Sequence, residues 1–393
     1  MKNLFTTLIF LLITTAIFSQ HVTRTITWDG TERQYLEYVP TIYDPGTPAP
    51  VVFCLHGLGD NMTNFATIGF DQVADLTGWI VITPQALVAT APIIGDIGTA
   101  WNSGAGAMGT PLGDVILNEN VDDTGFLTFI LDSLQNNYNI NTDSVFFMGF
   151  SMGGFMCNRL ASEIGSRITA VASVSGTMGV AFTPDPLVPI NTLHIHGTAD
   201  TQIRYEDAGF DPGTGTYYSV GMGAEELVNY WRNYNVCDAE PVVTLFPDTQ
   251  VDGKTFERYL YLNGTNGVQT AFIKVIGGDH EWYFTPQNDI DYTTEIYKFF
   301  TNTMDFPSSC PTIAAQNGIN VFPNPAQNIV KVDISEPNNA TLAIFNILGE
   351  KITEMNLENS SNLVNVEDIP AGIYFFNVTN GNETFEHKMI IQK

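Results

Sequence analysis

The sequence predicts an α/β protein with a mostly parallel sheet covered on both faces, followed by a small all-β domain. Three observations predict it. Between residues 35 and 276, short apolar runs alternate with amphipathic stretches, as buried parallel strands under crossover helices require. From about Gly318 the helical pattern stops, and short alternating runs separated by turns take over. Between the two lies a turn-rich stretch with no apolar period, Asp305-Phe306-Pro307-Ser308-Ser309-Cys310-Pro311.

The elements follow in order. Lys2, an apolar run from Leu4 to Phe18 and the polar exit Ser19-Gln20 outline a secretory signal peptide over residues 1–20. Thr6, Thr7, Thr14 and Thr15 interrupt that run, which falls short of the ~20 apolar residues a span needs. No later segment reads as transmembrane, so the chain is expected to be exported with no membrane span. In the first domain, residues 21–303, strands are expected at Tyr35–Val39, Val51–Leu55, Ile80–Thr83, Val145–Met148, Ala170–Ser173 and Leu193–His196. Gly125–Tyr138 and Ala224–Asn233 read as helices. Residues 304–319 form the linker. In the tail, residues 320–393, Ile329–Ile334 and Ile373–Val378 alternate, Thr341–Phe345 is β-rich and Phe385–Ile391 closes the chain. That pattern predicts a β-sandwich of roughly seven strands.

Composition excludes whole classes. The 393 residues carry 42 acidic and 15 basic side chains, a net charge of −27. No basic face is available to offset phosphate repulsion, so nucleic acid is excluded as a partner. The same field disfavours anionic substrates. From Gln316 onward there are 9 acidic and 4 basic side chains, so the acidity belongs mostly to the first domain. With 12% aromatic residues the chain has ample material for a core, which argues against disorder. Four cysteines suit an exported protein without making it a disulfide scaffold. Cys54 and Cys157 read as buried, whereas Cys237 and Cys310 lie in loop-like stretches and are the candidate pair.

The strongest chemical signal is Gly149-Phe150-Ser151-Met152-Gly153-Gly154, which follows the strand Ser144–Met148 and precedes a helix with Met156, Leu160 and Ile164 on one face. A strand–turn–helix with small neighbours around a serine is a nucleophile elbow, because the serine needs a strained backbone to stand clear. On such a scaffold the order is nucleophile, acid, histidine. Of six histidines, His21 and His56 come too early and His387 lies in the tail. His194 and His196 share a strand face ahead of the acid and read as structural hydrogen-bonding groups. That leaves His280 as the base. Asp200, just past the strand Leu193–His196, is the expected acid, with Asp207 and Asp211 as rivals. Asp279 adjoins the base and cannot easily reach its far nitrogen. Backbone N–H groups of Met152 and Leu58 are the candidate oxyanion donors, the second from the loop His56-Gly57-Leu58-Gly59, which His56 is expected to hold. Asp122 and Asp123 read as cap residues, a calcium site being the alternative. The chemistry requires no metal and no cofactor.

Together His56-Gly57, Trp101-Asn102, Val121-Asp122-Asp123-Thr124-Gly125-Phe126, Gly149–Gly154, His196-Gly197-Thr198-Ala199-Asp200 and Gly277-Gly278-Asp279-His280-Glu281-Trp282 resemble secreted α/β-hydrolases of the polyhydroxyalkanoate depolymerase and feruloyl esterase group. One departure from the group is Gly-Gly-Asp-His, followed by Tyr283, where members often carry Gly-Gly-Gly-His and a proline after the tryptophan. In the tail, Val321-Phe322-Pro323-Asn324-Pro325-Ala326, Ile344-Phe345-Asn346-Ile347-Leu348-Gly349-Glu350 and Ile369-Pro370-Ala371-Gly372-Ile373-Tyr374 resemble the C-terminal sorting domain of the type IX (Por) secretion system. The combination is similar to Bacteroidota-type esterases that attack poly(ethylene terephthalate). The resemblance implies an α/β-hydrolase fold, an outer-membrane translocon as partner, and secretion to the cell surface or medium.

The expected function is therefore serine esterase action on a polyester, with feruloyl or acetyl release from plant polysaccharide as the alternative. A surface adhesin on an inactive hydrolase scaffold is the non-enzyme alternative. Only sixteen residues separate Gly176 from Leu193, too few for a helical lid, so an open groove is expected. Trp101, Trp282, Tyr283, Phe284 and Met152 are the candidate apolar lining, and Trp79 is expected in the core.

Overall fold

A computed structural model describes residues 21–91, 95–111, 113–304, 319–322, 326, 328–334, 337–346, 350–370, 372–381 and 383–391. The expected signal peptide, most of the linker, Cys310 and parts of the three tail motifs lie outside the described residues. The chain divides into two units near residue 308.

The first unit is built on a ten-stranded sheet: β1 (Val22–Trp28), β2 (Thr31–Tyr38), β3 (Ala49–Leu55), β4 (Ile80–Pro84), β5 (Ile140–Phe150), β6 (Ala170–Val174), β7 (Asn191–Gly197), β8 (Val242–Leu245), β9 (Thr255–Tyr261) and β10 (Thr270–Ile276). Their spatial order is β1-β2-β4-β3-β5-β6-β7-β10-β9-β8. The six central strands, β4 to β10 in that order, are parallel throughout. Antiparallel strands finish both edges, β1 and β2 at one side, β9 and β8 at the other.

Both faces of the parallel centre are covered. Alternation sends Val51, Phe53 and Leu55 of β3 into one core and Val52 and Cys54 into the other. On the first face pack helices α2 (Asp123–Asn137), α3 (Met152–Ile164) and α4 (Ala224–Asn235), through residues such as Phe126, Ile130, Leu160 and Trp231. On the second lie α1 (Phe70–Thr77) and α5 (Tyr292–Phe300), with Phe70, Ile296 and Phe299. Trp79 belongs to this second core, stacked on Phe146 with centroids 4.8 Å apart. Asp122 caps α2 by accepting from the Gly125 N–H at 2.8 Å. This is the α/β-hydrolase fold.

The second unit has seven strands among its described residues: β11 (Ile319–Phe322), β12 (Ile329–Ile334), β13 (Ala340–Asn346), β14 (Lys351–Leu357), β15 (Ser361–Asn365), β16 (Gly372–Asn380) and β17 (Glu383–Ile391). They form a three-stranded sheet, β11-β12-β15, and a four-stranded sheet, β14-β13-β16-β17. Val330, Val332 and Ile334 of the one share a core with Leu342, Ile344, Phe376 and Val378 of the other, as in a sandwich. No helix among the described residues is long and apolar enough to cross a membrane.

Candidate active site

The site begins where β5 ends. Ser151 sits between β5 and α3 with φ 52° and ψ −119°, a conformation that L-residues rarely adopt. Two close approaches make the turn possible. A Cβ on Gly149 would lie 2.3 Å from the Gly153 carbonyl carbon, and one on Gly153 would lie 2.0 Å from the Leu55 oxygen. Glycine is therefore required at both positions. The Ser151 N–H donates to the Val174 oxygen at 2.7 Å, tying the turn to the end of β6. Met152 is the first residue of α3, so its N–H is one of the donors a helix start leaves without an intrahelical partner.

The expected acid and base follow the next parallel strands. Asp200 follows β7 and is buried, its Oδ1 accepting from the N–H groups of Gln202 and Ile203 at 2.9 and 2.8 Å. His280 follows β10, and its Nδ1 lies 2.7 Å from Asp200 Oδ2. That contact commits Nδ1 to the carboxylate and leaves Nε2 as the nitrogen for proton transfer. The His280 ring lies over Phe150, centroids 4.8 Å apart, so the base stands beside the residue preceding Ser151. Burial alone would raise the Asp200 carboxyl, but its hydrogen bonds to His196 and His280 outweigh that and hold it well below the usual carboxylate range. Asp200 is thus an anion wherever the fold persists near neutrality.

The rivals are spent elsewhere. Asp207 pairs with Arg204 and accepts from the Gly209 N–H, and Asp211 collects the N–H groups of Gly213, Thr214 and Gly215. Asp279 accepts from its neighbour His280 N–H at 2.8 Å and from Thr201 N–H at 3.1 Å, clipping the base loop to the acid loop.

The loop carrying Leu58 passes against the nucleophile: a Cβ on Gly57 would lie 3.3 Å from Ser151 Cβ. Its shape is held from beneath. His56 Nε2 accepts from the Ala86 N–H at 3.1 Å, so its proton is on Nδ1, which donates to the Gly57 oxygen at 2.8 Å. Burial lowers the His56 pKa, in keeping with that neutral tautomer. The Gly59 N–H donates to the Thr99 oxygen at 2.8 Å.

Two expected substrate contacts need correction. Trp101 is fully buried, and its Nε1–H donates to the His56 oxygen at 2.9 Å while its ring packs on the His56 ring. It supports the loop carrying Leu58 and has no surface to present to a ligand. Tyr283 is only 2% exposed, its hydroxyl accepting from the Asp279 N–H at 2.9 Å, so it too is structural. Trp282 is half-buried edge-on against Phe65 and Phe150, and Phe284 and Leu58 are each 37% exposed. Cys237 is half-buried beside Val268 and Thr270, while its expected partner Cys310 lies outside the described residues.

If Trp101 acts through the loop, Trp101→Phe keeps an aromatic ring there and deletes the donor. We expect kcat on p-nitrophenyl acetate to fall on the order of 10- to 100-fold with KM little changed. A change confined to KM would mark a substrate contact instead.

Sequence reasoning missed the support behind this loop. Arg33 and Asp123 form a buried ion pair at 2.7 Å, and Asp123 also accepts from the Asn102 N–H at 2.7 Å. The Asn102 side chain accepts from Arg159 of α3, also at 2.7 Å. Trp101-Asn102 thus joins the Leu58 loop to the helix that starts at Met152. The paired motif Trp101-Asn102 was visible, but nothing local announced its partners.

Residues 29–184 match the family model described as "Putative esterase", and residues 320–392 match the "Secretion system C-terminal sorting domain". A bifunctional acetylxylan esterase/xylanase of Neocallimastix patriciarum is 27% identical over 268 residues, covering 67% of this chain and 34% of that protein. Feruloyl esterase C of Emericella nidulans is 27% identical over 168 residues, covering 43% of this chain and 55% of that protein. The chain therefore spans about a third to a half of the length of these relatives. Among solved structures, an acetyl xylan esterase from Aspergillus awamori aligns with a TM-score of 0.47 at 14% identity, covering 71% of this chain and 99% of that one.

Proposed function

We propose that this protein is an exported serine carboxylic-ester hydrolase that releases acyl groups, acetyl or feruloyl, from plant polysaccharide. The 2.7 Å contact between Asp200 and His280, beside a strained Ser151 at the end of the neighbouring strands, carries the reading. Ser151 Oγ attacks the ester carbonyl while His280 Nε2 takes its proton. The Met152 and Leu58 N–H groups hold the oxyanion, and His280 returns the proton to the leaving alcohol. Water then attacks the acyl-enzyme through the same histidine and frees the acid. Asp200 orients the imidazole and stabilises its charged form.

The esterase match over residues 29–184 supports ester hydrolysis, and relatives named for acetylxylan and feruloyl esters favour polysaccharide esters over the polyester expected from sequence. An uncapped elbow suits either, since residues between Gly176 and Asn191 form no helix. The match over residues 320–392 supports export through a type IX translocon to the cell surface or medium.

The test is product analysis. The purified chain is incubated with acetylated xylan, feruloylated arabinoxylan and polyester film, and released acids are resolved by liquid chromatography. Acetate or ferulate is expected to appear faster than any film-derived acid. Faster release of terephthalate or hydroxyalkanoate would overturn the substrate class while leaving the esterase reading intact.

A further inference from the structure

Behind the acid lies a row of buried polar groups that the reaction does not use directly. Ser173 Oγ lies 2.9 Å from His194 Nδ1, His194 Nε2 lies 3.1 Å from His196 Nδ1, and His196 Nε2 lies 2.8 Å from the Ile203 oxygen. The same His196 Nε2 is 3.4 Å from Asp200 Oδ2, the oxygen that holds His280. Ser173, His194 and His196 are each at most 3% exposed. We propose that this row is a directed hydrogen-bond chain, and that His196 at its end is a positioning residue for the catalytic acid. The proposal rests on the reading of Ser151, His280 and Asp200 as a triad.

Direction follows from what each end can accept. The Ile203 carbonyl and the Asp200 carboxylate are both acceptors, so His196 Nε2 must carry a proton. A neutral His196 then accepts at Nδ1 and takes the proton of His194 Nε2–H. His194 in turn accepts at Nδ1 from the Ser173 hydroxyl. One set of neutral tautomers satisfies every link, and every donor points toward Asp200. Burial holds the His194 pKa well below its ordinary value, which keeps His194 itself neutral. A neutral donor arrives beside Asp200 Oδ2 without cancelling the charge His280 needs, and it pins Ile203, whose N–H holds Oδ1. The carboxylate is thereby fixed at both oxygens.

Among the described residues, no charged side chain lines the space around Ser173 and His194. Its polar lining is Asn158, Thr192, Trp231 and Thr270, while Phe272 of β10 stacks on His194. Tyr205 meets His196 edge-on at 5.8 Å, its hydroxyl bound to Glu225 of α4, and Lys274 of β10 lies over its ring and pairs with Glu225. Asp279 bonds to Thr201, and Tyr292 of α5 is buried within range of the Asp200 charge.

Two measurements test the chain. In histidine labelled with nitrogen-15, ring spectra of the wild-type protein at neutral pH, assigned with single-histidine variants, report each tautomer. Both His194 and His196 are expected as the Nε2–H form; an Nδ1–H form of either overturns the proposal. In the second, His196→Leu removes the donor and His196→Gln restores an amide N–H. His196→Leu should lower kcat by roughly 10- to 100-fold. It should also raise the acidic limb of kcat/KM by roughly half a pH unit or more, because the undivided carboxylate charge then favours protonated His280. His196→Gln should recover part of both. An unmoved limb in folded His196→Leu would make the row merely structural and overturn the proposal. Hydrolysis retained by Ser151→Ala would instead defeat the triad reading, and the tautomers would still stand as measured.

Discussion

Ser151→Ala reduces kcat for p-nitrophenyl esters by roughly 10⁵–10⁶-fold, leaving only what the oxyanion donors and binding supply. The size of the effect follows from the elbow. Ser151 is held at φ 52° by backbone contacts that an alanine leaves intact, so the variant folds and loses only the attacking oxygen. Asp200→Asn belongs to the same series and should cost about 10⁴-fold, since an amide cannot hold the same imidazole tautomer. Asp207→Asn should stay within a few-fold of wild type, because that carboxylate is exposed and turned to Arg204. Steady-state kinetics with circular dichroism to check folding decides the matter. An active Ser151→Ala protein, or an inactive Asp207→Asn beside an active Asp200→Asn, would break the assignment.

The largest expected loss of stability lies away from the chemistry. Arg33 and Asp123 are 90 positions apart, their side chains 1% and 0% exposed, and the guanidinium lies 3.8 Å over the Phe126 ring. Arg33→Met strands a carboxylate in the core with the Asn102 N–H as its remaining donor, which should destabilise the unit by about 3–5 kcal/mol. Arg33→Met combined with Asp123→Asn should recover most of the loss, because the charge is gone and the Asn102 N–H keeps an acceptor. All five tryptophans (Trp28, Trp79, Trp101, Trp231 and Trp282) belong to the first unit, so their fluorescence in urea reads its unfolding in the intact chain. A loss no larger than the roughly 0–1 kcal/mol of an exposed pair would show that water reaches this one.

The centre of the fold was legible because parallel strands buried on both faces leave continuous apolar runs, as Val51–Leu55 and Ala170–Ser173 do. The edges were less so. β1 is exposed along most of its length, and its residues Thr23, Arg24 and Thr25 carry no apolar signal, so only its pairing with β2 makes it a strand. The elbow was legible because its requirements are local, packed into Gly149–Gly153. The pairing of His280 with Asp200 could be reached by order along the chain. Trp101 could not be placed, since an aromatic in a glycine-rich loop reads the same whether it faces a ligand or a backbone carbonyl. Nor could Arg33 and Asp123, whose pairing exists only once β2 and α2 have met.

Main chain alone sets the spacing between β3, β5 and α3 at the nucleophile, since Gly149, Gly153 and the Leu55 carbonyl leave no room for a side chain between them. A joint of that kind has no adjustable part. Mutation can break it but cannot tune it by tenths of an ångström, as it could tune a packed leucine. Change is therefore left to exposed side chains such as Leu58 in the adjoining loop, which can vary while the turn beneath keeps its gauge.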